Sequence, residues 1–304
     1  MRRCSWSAIP SEIHSPEKRV VLSAPLKIII VADLAQPRVQ SVWPEVERIL
    51  NHPDVERLAI DHDRTLDYAR FDADLVVVVG GDGSILRTCR QMGLNQKPIL
   101  GVNAGRLGFL ADLSVTDLAS EWSHIVARRY EIAEYLMFAC RIEGPASVEE
   151  HLGLNELVIS SAGAMRMIDI QLDINGEHVT TYSADGLMIA TPVGSTAHNL
   201  AAGGPILRQN LQAFVITPIC PHTLTNRPLV ESSDAIFSLR VPEAPDGATL
   251  VVDGQIRRPL SGRDRVEMKR AATCLKMAKL PRQTYYATLH RKLGWGGQSP
   301  RQSP

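Results

Sequence analysis

Asp82 stands among glycines in the stretch Gly80-Gly81-Asp82-Gly83-Ser84, directly after five aliphatic residues, Leu75 to Val79. Glycines at the mouth of a buried strand let backbone amides come close to a phosphate. The N-terminus of a following helix attracts anions as well. A carboxylate placed there repels phosphate, so it implies a different task. It can take the proton from an attacking hydroxyl, or sit by a metal next to the phosphates. The same residues also suit a tight turn with Asp82 as a helix N-cap. A second block, "ADGLMIATPVGSTAHNLAAGGPI" at 184–206, places small residues at Gly194, Ala197, Ala201 and Ala202. These leave room for a flat ligand against the backbone, with Ser195 and Thr196 hydroxyls to orient it. That block equally suits a small-residue packing interface.

Both loops need a frame to hold them. "LKIIIVAD" (Leu26 to Asp33), "ERLAID", "DLVVVV" and "KPILGVN" are short apolar runs that fit buried strands. Between them, a loop with Pro37 leads into Val42, Val46, Ile49 and Leu50 at helical spacing, stopped near Asn51 and Pro53. "SILRTCRQM" reads as a helix closed by Gly93. This alternation predicts an open, mostly parallel sheet with helices on both faces. After about residue 130 the pattern becomes short strands separated by turns, among them "EYLMFACRIEG", "NELVISSA", "GLMIATP", "FVITPI" and "ATLVVDGQI". Asn175-Gly176 suits a type I′ hairpin turn. "DRVEMKRAATCLKMAKL" fits strand pairs or a partly helical segment. The expected fold is an α/β N-terminal open-sheet Rossmann-like domain plus a mainly β C-terminal sandwich domain. The expected boundaries are a flexible extension at 1–24, the α/β nucleotide-binding domain at 25–128, the β substrate-binding domain at 129–288, and a disordered tail at 289–304.

Thirty-three basic residues balance 33 acidic ones over 304 residues, which gives no electrostatic reason to expect nucleic acid or a membrane surface as partner. The five cysteines are scattered without a C-x-x-C pair, as for reduced thiols in a cytoplasmic protein. No apolar run is long enough to span a bilayer.

Six blocks in order carry a resemblance to the ATP-NAD kinase family: "GGDGS" at 80–84, "NAGRLGFL" at 103–110, "LNELVI" at 154–159, "DGLMIATPVGSTAHNLAAGGPI" at 185–206, "PICPHTLTNRPLV" at 218–230 and "VDGQ" at 252–255. The resemblance implies an enzyme that uses ATP, with Mg²⁺ or another divalent cation, to phosphorylate the 2′-hydroxyl of the adenosine ribose of NAD. It implies Asp82 as the proton acceptor. Gly81, Gly83 and Arg87 would lie by the bound nucleotides, with Asn155 and Glu156 bonding the dinucleotide. Asp185 would face the substrate, and Glu156 and Asp185 would supply acceptors to a ribose diol. The segment Thr196, Ala197, His198, Asn199, Leu200 and Ala201 would line the pocket, with Arg166 and Gln255 as further contacts. A homodimer or homotetramer is the implied assembly.

This chain departs from the family pattern at several places. Val193 replaces a hydroxyl residue, His198 a tyrosine, Asn199 a common serine, and Tyr135 an arginine. Two alternatives remain on sequence grounds: a lipid kinase of the diacylglycerol or sphingosine type, and a sensor that binds NAD(H) without turnover. "DHD" at 61–63 looks metal-like. Its alternating directions on a strand argue instead for a solvated loop.

Overall fold

The computed structural model describes residues 24–105, 107–161, 167–223, 227–281 and 285–294. The first half alternates as the sequence predicts: β1 Leu26–Ala32, α1 Pro37–Leu50, β2 Val55–Asp61, β3 Leu75–Gly80, α2 Asp82–Met92, β4 Ile99–Asn103 and α3 Val115–Val126. α1 buries Val39, Trp43, Val46 and Leu50, one face of a helix at spacings of three and four. Pro37 is its first residue rather than part of the loop before it, a position where the missing N–H costs nothing. α3 starts with a capping box between Ser114 and Asp117. α2 ends at Gly93, whose φ of 57° suits a residue without Cβ.

The second half holds β5 Glu131–Glu143, β6 Val148–Gly153, β7 Glu156–Ser160, β8 Ile168–Ile174, β9 Glu177–Ala184 and β10 Gly186–Ala190. The four-residue α4 His198–Ala201 follows. Then come β11 Ala213–Ile219, β12 Leu229–Ser232, β13 Phe237–Arg240, β14 Thr249–Val252, β15 Ile256–Pro259, β16 Arg265–Lys279 and α5 Tyr285–Leu293. Asn175 and Gly176 both take positive φ, 53° and 84°, the hairpin turn their types favour.

Two sheets result. A six-stranded antiparallel sheet runs β12-β11-β10-β7-β14-β15. A ten-stranded sheet runs β2-β1-β3-β4-β16-β13-β8-β9, with β5 on β16 and β6 on β5. The facing sides of the two sheets enclose one core, with Phe138, Ile159, Leu187, Phe214 and Phe237. The larger sheet passes without a break from the parallel half into the antiparallel half. The junction is β16, parallel to β4 at Met277↔Ile99 and antiparallel to β5 and β13. Ala278 and Leu280 accordingly pack with Leu100, Val102 and Trp122 in the core of the first half.

"DRVEMKRAATCLKMAKL" is therefore one long strand, neither a strand pair nor a helix; its register shifts between Arg270 and Cys274. α5 continues through Leu293 and buries Leu289, so helix extends past residue 288. The stretches 1–23 and 295–304 lie outside the described residues. Among the described residues no helix is long and apolar enough to cross a membrane.

Candidate functional site

The glycine loop leaves the carboxyl end of β3, the position at which open parallel sheets bind ligands. Gly81 is the N-cap of α2 and Asp82 its first residue. An acidic side chain there meets the positive end of the helix dipole. Asp82 does not cap its own helix. Its carboxylate reaches across to the loop after β4, where Phe109 N–H donates to Oδ2 at 2.8 Å. Leu110 and Ala111 N–H donate to Oδ1 at 3.0 and 2.9 Å. A carboxylate has about four acceptor sites, so the cradle leaves room for roughly one further donor, such as a sugar hydroxyl. Asp82 therefore braces the loop at 109–111 as well as standing at the glycine loop.

Gly108 is what lets this cradle close. A Cβ at Gly108 would collide with Asp82 Oδ1. Gly108→Ala is expected to push the carboxylate aside and lower turnover by about 10²-fold, the scale of a misplacement near 1 Å. Steady-state kinetics beside a thermal melt checks it; full activity in a folded variant would mean the cradle is dispensable.

Around the loop opens a cavity of about 300 Å³ lined by Gln36, Arg64, Gly81, Gly83, Ser84, Arg87 and Gln255. Nothing lies within 4 Å of where a Gly81 side chain would start, so that backbone faces open space. Gln255 comes from the second half and donates to the Gly83 carbonyl at 3.3 Å. Gly81, Gly83, Arg87 and Gln255 are thus brought together. A larger cavity of about 520 Å³ lies away from these residues, against Ala139, Leu152 and Ala271, and contains none of the motif side chains.

Asp253 escaped the sequence reading although it lies inside "VDGQ". It sits in a tight turn at φ 50° and is 5% exposed. Its carboxylate accepts the N–H groups of Leu154, Asn155 and Glu156 at 2.7 to 3.2 Å. Arg90 Nη1 pairs with it at 3.2 Å and also donates, through Nη2, to Gln255 Oε1. Burial pushes the Asp253 carboxyl up, against the pull of the Leu154 and Asn155 amides and of Arg90. Asp253 thus fixes the backbone from which Asn155 and Glu156 project, and ties it to α2.

Glu156 is 1% exposed. Its Oε1 lies 2.7 Å from His198 Nδ1, and its Oε2 is buried without a hydrogen bond among the described residues. Burial pushes its carboxyl up; the His198 hydrogen bond and charge act against this, and Asp253 adds to it. An acid raised in the fold binds more protons folded than unfolded between the two values. Stability therefore declines as pH rises through that window. Glu156→Gln removes the buried charge. Its melting temperature relative to the parent should climb from about pH 4 towards neutrality. A constant difference across a pH series of melts would sink this.

Other expected site residues are placed differently. Asn199 is fully buried: Nδ2 donates to the Ser195 and Pro205 carbonyls and Oδ1 accepts from Thr217 at 2.6 Å. Ser195 Oγ is equally enclosed, donating to Pro192 O and accepting from Leu207 N–H. Thr196 Oγ1 donates to Val193 O at 3.1 Å. These polar groups hold the turn in shape rather than facing a ligand. Ala197 and Leu200 are half-buried, Ala201 and His198 exposed. Val193 and Tyr135 both lie in the core cluster with Ile85 and Leu154, so those two departures are packing choices.

β10 pairs Ala190 with Glu156 at one end and Gly186 with Ser160 at the other. Asp185 precedes that far end, about 16 Å along the strand from Glu156. Within one chain the two cannot grip the same diol. Arg166 lies outside the described residues. Asp61 is not part of a solvated loop. It is 1% exposed and accepts the Tyr68 hydroxyl at 2.6 Å and the Arg64 N–H at 2.6 Å, shaping the turn that carries Arg64 to the cavity. His62 packs edge-on against Trp43. Among the described residues no three His, Cys, Asp or Glu side chains gather as a metal cage.

A parallel sheet that delivers a glycine loop and a helix N-terminus to a polar cavity is the arrangement of nucleotide-binding α/β proteins. Comparison narrows that class. Residues 19–130 match the ATP-NAD kinase N-terminal domain and residues 154–280 the ATP-NAD kinase C-terminal domain. The NAD kinase of Rhodopirellula baltica is 45% identical over 285 residues, covering 93% of this chain and 88% of that protein. That of Geotalea daltonii is 38% identical over 280 residues, covering 89% and 99%. Among solved structures, yeast NADH kinase complexed with NADH shares the fold at a TM-score of 0.81 and 20% identity, over 92% of this chain and 91% of that one. An NAD kinase from Archaeoglobus fulgidus in complex with ATP superposes at a TM-score of 0.68 and 25% identity, over 88% and 98%. The chain belongs to the ATP-NAD kinase family. Matching both halves to that one family does not favour the lipid-kinase alternative.

Proposed function

We propose that this chain is an NAD kinase that transfers the γ-phosphoryl group of ATP to the 2′-hydroxyl of the adenosine ribose of NAD, giving NADP. Family membership supports the reaction. The observation that supports the local assignment is the cradle around Asp82, in which the amides of Phe109, Leu110 and Ala111 hold a half-buried carboxylate beside the glycine loop with about one acceptor position left over. The triphosphate lies against Gly81, Gly83 and Arg87, with the amides at the start of α2 facing its negative charge. Asp82 accepts the proton as the ribose oxygen attacks in line, and most of the rate comes from positioning and charge neutralisation. A divalent cation such as Mg²⁺ is carried mainly by the phosphates themselves, for which few protein ligands suffice; when bound it offsets their charge.

The strand's length between Glu156 and Asp185 supports a homodimer or homotetramer, in which the Asp185 end serves a neighbouring copy's pocket. The enzyme would work in the cytoplasm, where ATP and NAD are both at hand. Purified protein given ATP, Mg²⁺ and NAD should form NADP, read with an NADP-specific dehydrogenase. Calorimetric NAD binding with no NADP formed would replace this reading with the sensor.

A further inference from the structure

Arg64 stands in none of the six blocks that carry the family resemblance, yet it lines the cavity at the glycine loop together with Arg87. Its backbone is strained: φ is 67°, a left-handed conformation that a residue with a Cβ seldom adopts. Contacts from three elements keep it there. The Arg64 N–H donates at 2.6 Å to Asp61, the buried acid ending β2, which also accepts the Leu66 N–H and the Tyr68 hydroxyl. The Arg64 carbonyl accepts from the Gln91 side chain of α2 at 2.9 Å. The guanidinium pairs through Nη2 with Asp33, just beyond β1. That carboxylate also accepts the Ala35 N–H and the Gln36 side-chain amide.

Together these tethers fix the placement of one guanidinium. The Arg64 side chain is 27% exposed and that of Asp33 8%. A guanidinium carries five N–H donors in a planar fork, more than one carboxylate takes up. Gly81, Gly83 and Ser84 line the same cavity, and among its described lining residues two are cations and none is an acid. Such a charge excess suits an anion, and a planar fork matches the oxygens of phosphate. We propose that Arg64 is a further substrate contact of the phosphoryl transfer. Its guanidinium, braced by Asp33, donates to the phosphate chain of ATP from the loop after β2, as Arg87 does from α2. Asp33 acts through Arg64 and is a positioning residue. This deepens the kinase reading above and rests on it.

The test uses variants that keep the turn. Asparagine tolerates the left-handed conformation without the charge, and glycine adopts it freely. Arg64→Asn should lower kcat/KM for ATP by about 10- to 100-fold, the loss of a charged hydrogen bond, with the KM for NAD within about twofold of the parent. Inorganic tripolyphosphate carries the phosphates without the nucleoside. Its inhibition constant against ATP should rise by a similar factor, while that of adenosine should stay close to the parent's. Arg64→Lys should restore part of the loss, because it returns the charge without the fork. Asp33→Asn should lower kcat/KM for ATP by only about threefold and add little in the Arg64→Asn background, as coupled residues do. An arginine that merely holds the loop would weaken tripolyphosphate, adenosine and NAD alike, or none of them. Either pattern in a folded protein overturns the assignment. If Arg64→Asn does not fold, Arg64→Gly is read in the same way. If the parent forms no NADP at all, the kinase reading fails instead. Tripolyphosphate calorimetry on the parent and on Arg64→Asn then still decides whether Arg64 holds phosphate.

Discussion

Asp82→Asn is expected to lower kcat by about 10³ to 10⁴-fold, the upper part of the range that a positioned proton acceptor contributes. The same substitution should also cost stability. Three N–H groups converge on this carboxylate, and an amide offers only one oxygen, so its NH₂ group must face at least one of those donors. Leaving a donor without its partner costs about 1–3 kcal/mol, enough to lower the melting temperature by several degrees. The chemical and structural parts separate by comparison with Gly108→Ala, which displaces the carboxylate without removing it. A kcat loss at least an order of magnitude greater in Asp82→Asn assigns the difference to proton transfer. Equal losses would leave Asp82 as a brace for the loop at 109–111 and nothing more.

Asp253→Ala should be the most destabilising of the single substitutions, by about 3–5 kcal/mol, because it breaks a buried ion pair from one side. Arg90, 14% exposed, would keep its charge without the counter-ion, and the amides of Leu154, Asn155 and Glu156 would lose their acceptor together. Affinity for NAD should fall with stability, since Asn155 and Glu156 are placed by those amides. Urea unfolding and NAD calorimetry read the two effects. A loss below about 1 kcal/mol would be that of an ordinary surface residue and would refute the assignment.

Much of the frame is legible in the sequence because buried parallel strands are runs of aliphatic residues and amphipathic helices repeat on one face. β3 and α1 are clear for those reasons. β16 is ambiguous for an equally physical cause. Its alternation slips at the irregularity between Arg270 and Cys274, so Ala271, Leu275 and Ala278 fall at spacings that also suit a helix. β6, "VEEHLG", is missed because it carries two acids and a histidine and lies half in solvent. In the site, glycine-rich loops reveal themselves by residue type. What a polar residue does within such a loop does not. Ser195 and Asn199 look like ligand contacts by composition and turn out to satisfy buried backbone and each other's neighbours. Asp253 shows the reverse: nothing in its local sequence marks it as the anchor of residues nearly a hundred positions earlier.

The β4–β16 junction bears on how the chain is made. Synthesis delivers β1 to β4 and the helices that cover them first, but the edge of β4 stays unpaired until the residues around Met277 emerge. At ordinary translation speeds of about 5–20 residues per second that interval lasts roughly 8 to 30 seconds. Throughout it the nascent sheet exposes an open edge of the kind that invites pairing with other chains. Maturation of the first half's sheet is thereby coupled to the emergence of β16.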